Sequence, residues 1–401
     1  MMRKIYEEDS CCREISTRIT AAEYIENKTV VELAESVLFP GGGGQGRDYG
    51  TIGGFPVVDA GEKNGRVTYT VEGKLQAGAE VAVVLDWARR FDMMQNHTAE
   101  HVISAELHRL YGASSVGFHL NDEFFTLDID VPLTEEQVKR AEREANDRLW
   151  ENHPIRMWYP DEKEMETITL RKLMDRVEGP IRVVHMEGVD TTACCAPHVK
   201  NTAEAAPLKV LKAEKYKGGM RFTMVAGKRA FLDHEEKQNL LNRISKTLSA
   251  KLPDTADKTE KLLAEKNDWK RKALELNKER LKAILLSLRE TAPKAGDITC
   301  LGYLGEITAE EVKIALFAAL EGEKTAALVF GTDSGRIFYQ AGLSEDAEGD
   351  LRAMVKELNA ATNGKGGGQP KLLSGSMEDT PDNRKACEEF MDRLAGYVLG
   401  K

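Results

Sequence analysis

No apolar run in this 401-residue sequence approaches the ~18 residues that a membrane-crossing helix needs. The opening Met1-Met2-Arg3-Lys4-Ile5-Tyr6-Glu7 lacks the apolar core of a signal peptide, so a cytoplasmic setting is expected. Cysteine is scarce. Its six residues stand as two adjacent pairs, Cys11-Cys12 and Cys194-Cys195, with Cys300 and Cys387, too few to staple a chain of this size and expected to be reduced. Positive charge is short as well, and a net charge of −10 excludes a general coat for nucleic acid, since nonspecific attachment to phosphates needs a positive surface. Any RNA contact must then be local, and neither DNA nor a membrane is expected as a partner. What is present, 41% hydrophobic and 30% charged residues, describes a soluble globular protein too long for one core, with roughly two to four domains.

Histidine is also rare, with eight residues in the chain, yet three of them fall into one two-part pattern. His97-Thr98-Ala99-Glu100-His101 is answered almost a hundred residues later by Cys194-Cys195-Ala196-Pro197-His198. Each pair, His97 with His101 and Cys194 with His198, is spaced i,i+4, so if each segment is helical its side chains leave one face. Three imidazoles and a thiolate suit tetrahedral zinc better than magnesium or calcium, which want oxygen. One such pair alone is more often a surface accident; two in one chain are not.

Along the chain, short β-rich runs broken by glycine and Asn or Asp occupy about 15–85 and predict a small barrel or sandwich. Within them lies Phe39-Pro40-Gly41-Gly42-Gly43-Gly44-Gln45-Gly46-Arg47-Asp48, whose backbone amides can approach a ligand closely, although such clusters are usually flexible turns. A helix is predicted over 92–111, strands around 115–130, and a second helix over 134–152 from the capping box Thr134-Glu135-Glu136-Gln137. Further strands at 155–159 and 181–185 lead to the cysteine motif. The densest basic stretch, Lys209 through Lys212, Lys215, Lys217 and Arg221 to Lys228 and Arg229, carries Tyr216 and Phe222 among its charges and reads equally as an RNA contact or a solvated hairpin. After Asp233 a charged helical stretch runs to Thr291, interrupted at Pro253, with Leu262, Trp269 and Leu276 seven residues apart, as in a coiled-coil hairpin. The last segment shows strands at 326–330 and 336–339, helices at about 347–362 and 382–399, and a second glycine-rich loop, Asn363-Gly364-Lys365-Gly366-Gly367-Gly368-Gln369-Pro370, which is not a P-loop.

With these motifs in this order, the chain resembles the long form of the free-standing alanyl-tRNA editing proteins, which correspond to the editing and C-terminal parts of alanyl-tRNA synthetase. Phe39-Pro40-Gly41-Gly42-Gly43-Gly44-Gln45 resembles the family's glycine-rich barrel motif, and the His97/His101 and Cys194/His198 pairs its zinc motifs. Arg221-Phe222 with Val225 to Ala230 resembles the close of its editing domain, and Gly364 to Gly368 the long form's C-terminal domain. One departure is Cys195-Ala196-Pro197 where the synthetase usually carries Gly-Gly-Thr, which puts a second thiol beside the metal.

The resemblance implies an α+β multidomain protein: a β-barrel-like domain (1–90), a zinc-binding editing domain (91–232), a coiled-coil helical hairpin (233–292) and a C-terminal α/β domain with a Gly-rich loop for tRNA binding or dimerisation (293–401). It implies hydrolysis of tRNA(Ala) mischarged with serine or glycine, zinc held by His97, His101, Cys194 and His198, and no attachment of alanine, because an aminoacylation domain has no room. Gln45, His97 and His101 are the catalytic candidates. Gly42, Gly43, Gly44, Arg221, Lys228, Arg229, Lys365, Gly366, Gly367 and Gly368 are the candidates for holding substrate, and a homodimer is expected. Two rivals stand beside this. His97-x-x-Glu100-His101 also fits the inverted zinc-peptidase pattern, with Glu100 as general base, but would leave Cys194 and His198 without purpose. A non-catalytic tRNA-binding module stabilised by zinc is the other, since four protein ligands make a closed site.

Overall fold

The computed structural model describes residues 2–171 and 180–400, and the chain forms two units, 1–243 and 244–401. In the first, six strands close into a barrel: β1 (Glu14–Ile25), β2 (Lys28–Leu33), β3 (Gly50–Ile52), β4 (Phe55–Lys63), β5 (Arg66–Val71) and β6 (Glu80–Leu85), in the order β1-β2-β5-β4-β3-β6. Alternation sets the interior: in β5, Val67, Tyr69 and Val71 point inward while the residues between them stay more accessible.

Helix α1 (Trp87–Tyr111) begins one residue after Asp86, whose carboxylate accepts from Arg89 N at 3.1 Å as an N-cap, and stops at Gly112 in the left-handed region (φ 67°). It therefore starts five residues before the sequence-predicted Asp92, because the cap sits directly at the end of β6. From Met93 to Leu107 every residue of α1 is buried, so this central stretch has no solvent face to carry an amphipathic signal. Around it lies an antiparallel sheet of β7 (Ser115–Leu120), β8 (Phe125–Ile129), β12 (Leu208–Tyr216) and β13 (Gly219–Ala226), in the order β12-β13-β8-β7. Helix α2 (Glu135–Trp150) opens on the Thr134–Gln137 capping box and adds Val138, Ala141, Ala145 and Leu149 to the same core. A smaller sheet follows, β9 (Ile155–Trp158), β10 (Val183–Met186) and β11 (Asp190–Ala193), and α3 (Lys228–Leu248) leaves after β13.

The second unit contains α4 (Thr255–Thr291) and a six-stranded sheet ordered β14-β15-β16-β17-β19-β18: β14 (Lys294–Ala295), β15 (Ile298–Gly305), β16 (Thr325–Asp333), β17 (Arg336–Leu343), β18 (Lys365–Gln369) and β19 (Leu372–Glu378). The parallel pair β15–β16 is joined through α5 (Ala309–Leu320), and the other pairings are antiparallel. Side chains alternate across the sheet. Ala327 and Val329 meet α5 and the Leu281 and Leu285 turns of α4, whereas Ala326, Leu328 and Phe330 meet α6 (Arg352–Thr362), α7 (Pro381–Asp392) and α8 (Leu394–Val398).

Two expectations are corrected here. The segment Lys365 to Gly368 is not a loop but an edge strand, paired antiparallel with β19 from Lys365↔Ser376 to Gln369↔Leu372. Packing accounts for its composition: a Cβ on Gly366 would stand 2.3 Å from the Tyr339 hydroxyl and 2.4 Å from Ser374 O, whereas one on Gly367 would meet nothing within 4 Å. The seven-residue repeat of α4 is not its packed face: the buried leucines lie further along the helix. Leu281 and Leu285 are core, while Leu262, Trp269 and Leu276 are 54%, 68% and 66% exposed. Among the described residues no helix is long and apolar enough to cross a membrane.

Candidate metal centre and its cavity

His97 and His101 lie one turn apart in the fully buried stretch of α1, and Cys194 and His198 come to them from the segment after β11. The second segment is not helical, so its i,i+4 spacing works by another route. Arg182, itself 5% exposed, donates from Nη1 to Cys194 O (3.1 Å) and Ala196 O (2.9 Å), Cys194 N donates back to Arg182 O (3.1 Å), and Ser10 Oγ donates to His198 O (2.8 Å). These bonds fold the loop so that Cys194 and His198 face the helix.

The four groups are buried, and one donor atom from each lies within 4.8 Å of the other three. Cys194 Sγ is 3.6 Å from His97 Nε2 and 3.4 Å from His198 Nε2. Bonds of about 2.3 Å to sulfur and about 2.05 Å to nitrogen at tetrahedral angles would put S and N about 3.5 Å apart. The spacing therefore fits a small tetrahedral cation.

The remote sides of two of the rings are held too. His97 Nδ1 is 2.7 Å from Gln45 Oε1 and His198 Nδ1 is 3.0 Å from Thr98 Oγ1, whereas His101 Nδ1, 3.7 Å from Asp190 Oδ2, makes no hydrogen bond among the described residues. A proton on Nδ1 of His97 and His198 leaves Nε2 with its lone pair toward Cys194, the arrangement that ligating histidines adopt. Asp190 is in turn gripped by Arg171, through Nε at 2.7 Å and Nη2 at 2.9 Å. Glu100 Oε2 stands 3.9 Å from His101 Nε2, and its other oxygen accepts from Ser104 at 2.6 Å.

Burial sets the protonation states. It holds His97 and His198 well below the usual imidazole range, with neighbouring imidazoles adding to the effect, and brings His101 down to about 3 with help from Arg171. All three are neutral near pH 7. Burial, with Cys195 beside it, pushes the Cys194 thiol up to about 12, so a thiolate there needs a cation as partner.

Beside the cluster is a cavity of about 250 Å³, lined by Gly43, Phe118, Ser115, Arg171, Thr192 and Cys195 together with His97, His101 and Cys194, while His198 lies behind them, fully buried. It is smaller than a typical drug-sized pocket of about 300–1,000 Å³, a space for a small group. A roomier cleft of about 410 Å³ in the second unit, near Lys282 and Arg289, carries none of these groups, so size does not select the site.

The sequence-predicted residues divide clearly. Gly43 lines the cavity, and a Cβ on Gly42 or Gly43 would meet Cys195 Sγ at 3.6 or 3.5 Å. Gly44, with φ +84°, lies under Phe118, whose ring flanks His97 at 4.8 Å. Gln45 is not at the cavity wall; it lies behind His97 and positions it. Arg229 was expected to meet RNA, but it is 9% exposed and engaged with Asp92, through Nε at 2.9 Å and Nη2 at 2.6 Å. Arg221 forms a two-pronged pair with Asp128 (2.6 and 2.7 Å) and lies over Tyr216, while Lys228 is exposed. Lys365, Gly366, Gly367 and Gly368 lie in the second unit, on its edge strand. Sequence reading missed Thr98, Asp190, Arg171, Arg182 and Thr192. The polar run Asp190-Thr191-Thr192 ahead of Cys194 was the available signal for Asp190 and Thr192.

Residues 181–222 match the family model described as the Threonyl and Alanyl tRNA synthetase second additional domain. The chain is 28% identical over 408 residues to the alanyl-tRNA editing protein AlaX-L of Pyrococcus horikoshii, covering 95% of this chain and 96% of that one. It is 30% identical over 308 residues to the alanyl-tRNA editing protein Aarsd1 of Bos taurus, covering 73% and 69%. Against the alanine–tRNA ligase of Pyrococcus abyssi it is 26% identical over 412 residues, covering 98% of this chain and 44% of the ligase.

Proposed function

Because the chain belongs to the family of alanyl-tRNA editing proteins, we propose that it hydrolyses the ester joining a wrongly attached amino acid, chiefly serine and secondarily glycine, to tRNA(Ala). The observation that carries this reading is the buried cluster of three imidazoles and one thiol beside a cavity of amino-acid size. Zinc is the ion that suits this nitrogen and sulfur set, held by His97, His101, Cys194 and His198, and it would supply a Lewis acid beside the ester carbonyl. The chain's own groups do the positioning: Gln45 and Thr98 fix the rings of His97 and His198, and Gly42 and Gly43 leave room for the acyl group next to Cys195. Exposed Lys215, Lys217 and Lys228, with Lys365 and the open backbone of Gly367, are offered as contacts for the tRNA backbone. The four-part division at 90, 232 and 292 and a homodimer belong to the same proposal.

The closed set of four protein donors favours one second reading, a tRNA-binding module in which the metal only holds the fold. Turnover separates the two. Purified protein incubated with Ser-tRNA(Ala) and Ala-tRNA(Ala) is expected to release serine selectively, whereas retention of both aminoacyl-tRNAs without release leaves only the module. The peptidase reading makes a different demand: Glu100→Gln must abolish activity, and under the editing reading much of it survives.

A further inference from the structure

We propose that the hydroxyl of Thr192 reads the side-chain hydroxyl of a seryl group in the cavity and so sets the preference for serine over alanine; this rests on the deacylation proposed above. In β11 side chains alternate between two faces, and Asp190 and Thr192 are buried while Thr191 and Ala193 are half-buried. Cys194, the next residue, keeps the parity of Asp190 and Thr192. Both flanking members of that row look at the metal-ligating groups, Asp190 Oδ2 at 3.7 Å from His101 Nδ1 and Cys194 Sγ at 3.6 Å from His97 Nε2. Thr192 stands between them, 4% exposed, and lines the cavity.

The neighbouring hydroxyls are already engaged. Thr98 pairs with His198, Ser104 donates to Glu100, Thr191 pairs with His185, and Ser115 has a partner as well. The Thr192 hydroxyl has none among the described residues, and it is not sealed away from the cavity. A hydroxyl can donate and accept at once, so Thr192 can satisfy a seryl hydroxyl in either sense. An alanyl methyl in the same place would leave Thr192 desolvated and unpaired, which is the arrangement that discriminates most strongly between two substrates differing by one polar group.

Thr192→Val keeps shape and branching and deletes only the hydroxyl. With the full-length zinc-loaded protein, the rates of serine and alanine release from tRNA(Ala) are measured for the wild type, Thr192→Val and Thr192→Ser, together with bound zinc per chain. The serine-to-alanine ratio is expected to fall about 10- to 100-fold in Thr192→Val, to recover in Thr192→Ser, and to do so at unchanged zinc content. A ratio that does not move, including an equal loss on both substrates, overturns the assignment. If the wild type releases no serine, the deacylation reading fails and takes this one with it. Should Thr192→Val not fold, the unaltered protein decides: non-hydrolysable seryl and alanyl amides of 3′-amino-3′-deoxyadenosine are compared, with tighter binding of the seryl compound expected and equal binding overturning the proposal.

Discussion

Gln45 Oε1 lies 2.7 Å from His97 Nδ1, so a residue of the barrel's glycine loop sets the ring of a helix residue 52 positions later. Its other amide atom, Nε2, is buried and has no hydrogen-bond partner among the described residues, so the side chain is held by this contact.

Replacing Gln45 by Leu is therefore expected to weaken zinc binding by about 10- to 100-fold, as loss of a ligand's supporting hydrogen bond commonly does. Competition with a chromogenic chelator measures it. Unchanged affinity together with lost turnover would instead make Gln45 a substrate-contacting group.

The glycine loop has a second fastening. Asp48 pairs with Arg90, which is 0% exposed and also donates to Ser10 O (3.0 Å) and Val37 O (2.7 Å), and the same carboxylate accepts from Phe39 N at 2.6 Å. Removing one partner of a buried pair leaves an uncompensated charge. Asp48→Ala should cost about 3–5 kcal/mol in urea unfolding of the first unit, and a loss below about 1 kcal/mol would contradict the pairing described.

Acid should weaken the metal-free protein specifically. The folded state keeps His97, His101 and His198 neutral, His101 down to about 3, whereas unfolded imidazoles take up a proton near about 6.5. Between those limits the unfolded chain binds more protons, so stability is full above about pH 6.5 and declines as pH falls toward 3. Chelator-treated protein should show a lower urea midpoint at pH 5 than at pH 7.5. An equal or higher midpoint at pH 5 would mean that these rings are not sealed from solvent.

The glycine-rich edge strand yields a contrast between neighbours. Gly366→Ala puts a methyl 2.3 Å from the Tyr339 hydroxyl and should lower the melting temperature of the second unit by several degrees, while Gly367→Ala meets nothing within 4 Å and should leave it unchanged. Equal effects would argue that this stretch is not the strand paired with β19. Loss of tRNA affinity in Gly367→Ala without loss of stability would place RNA on the open side.

Local periodicity explains what was legible in the sequence. His97 and His101 could be paired because a helix brings every fourth residue to one face, and the Thr134 capping box announced α2 because caps are written in adjacent residues. Cys194 and His198 were paired by the same count for a different physical reason, a loop drawn in by Arg182. The partners of the ligands, Gln45, Asp190 and Thr98, depend on contacts across 52, 89 and 100 positions, which no local pattern encodes. Arg229 misled because a charge in a basic run looks available until its buried neighbour Asp92 is known. The glycines at 364–368 misled because a strand under an aromatic hydroxyl and a flexible loop both call for the smallest residue.

One consequence of the cluster's layout concerns biosynthesis. Half of its donors are made with α1 and the rest only after residue 198 has left the ribosome, so a nascent chain halted before then offers two imidazoles buried in an unfinished core. Capture of an ion by all four groups can therefore be complete only once β11 has docked, which would make tight metal retention a late signature of correct assembly rather than its trigger.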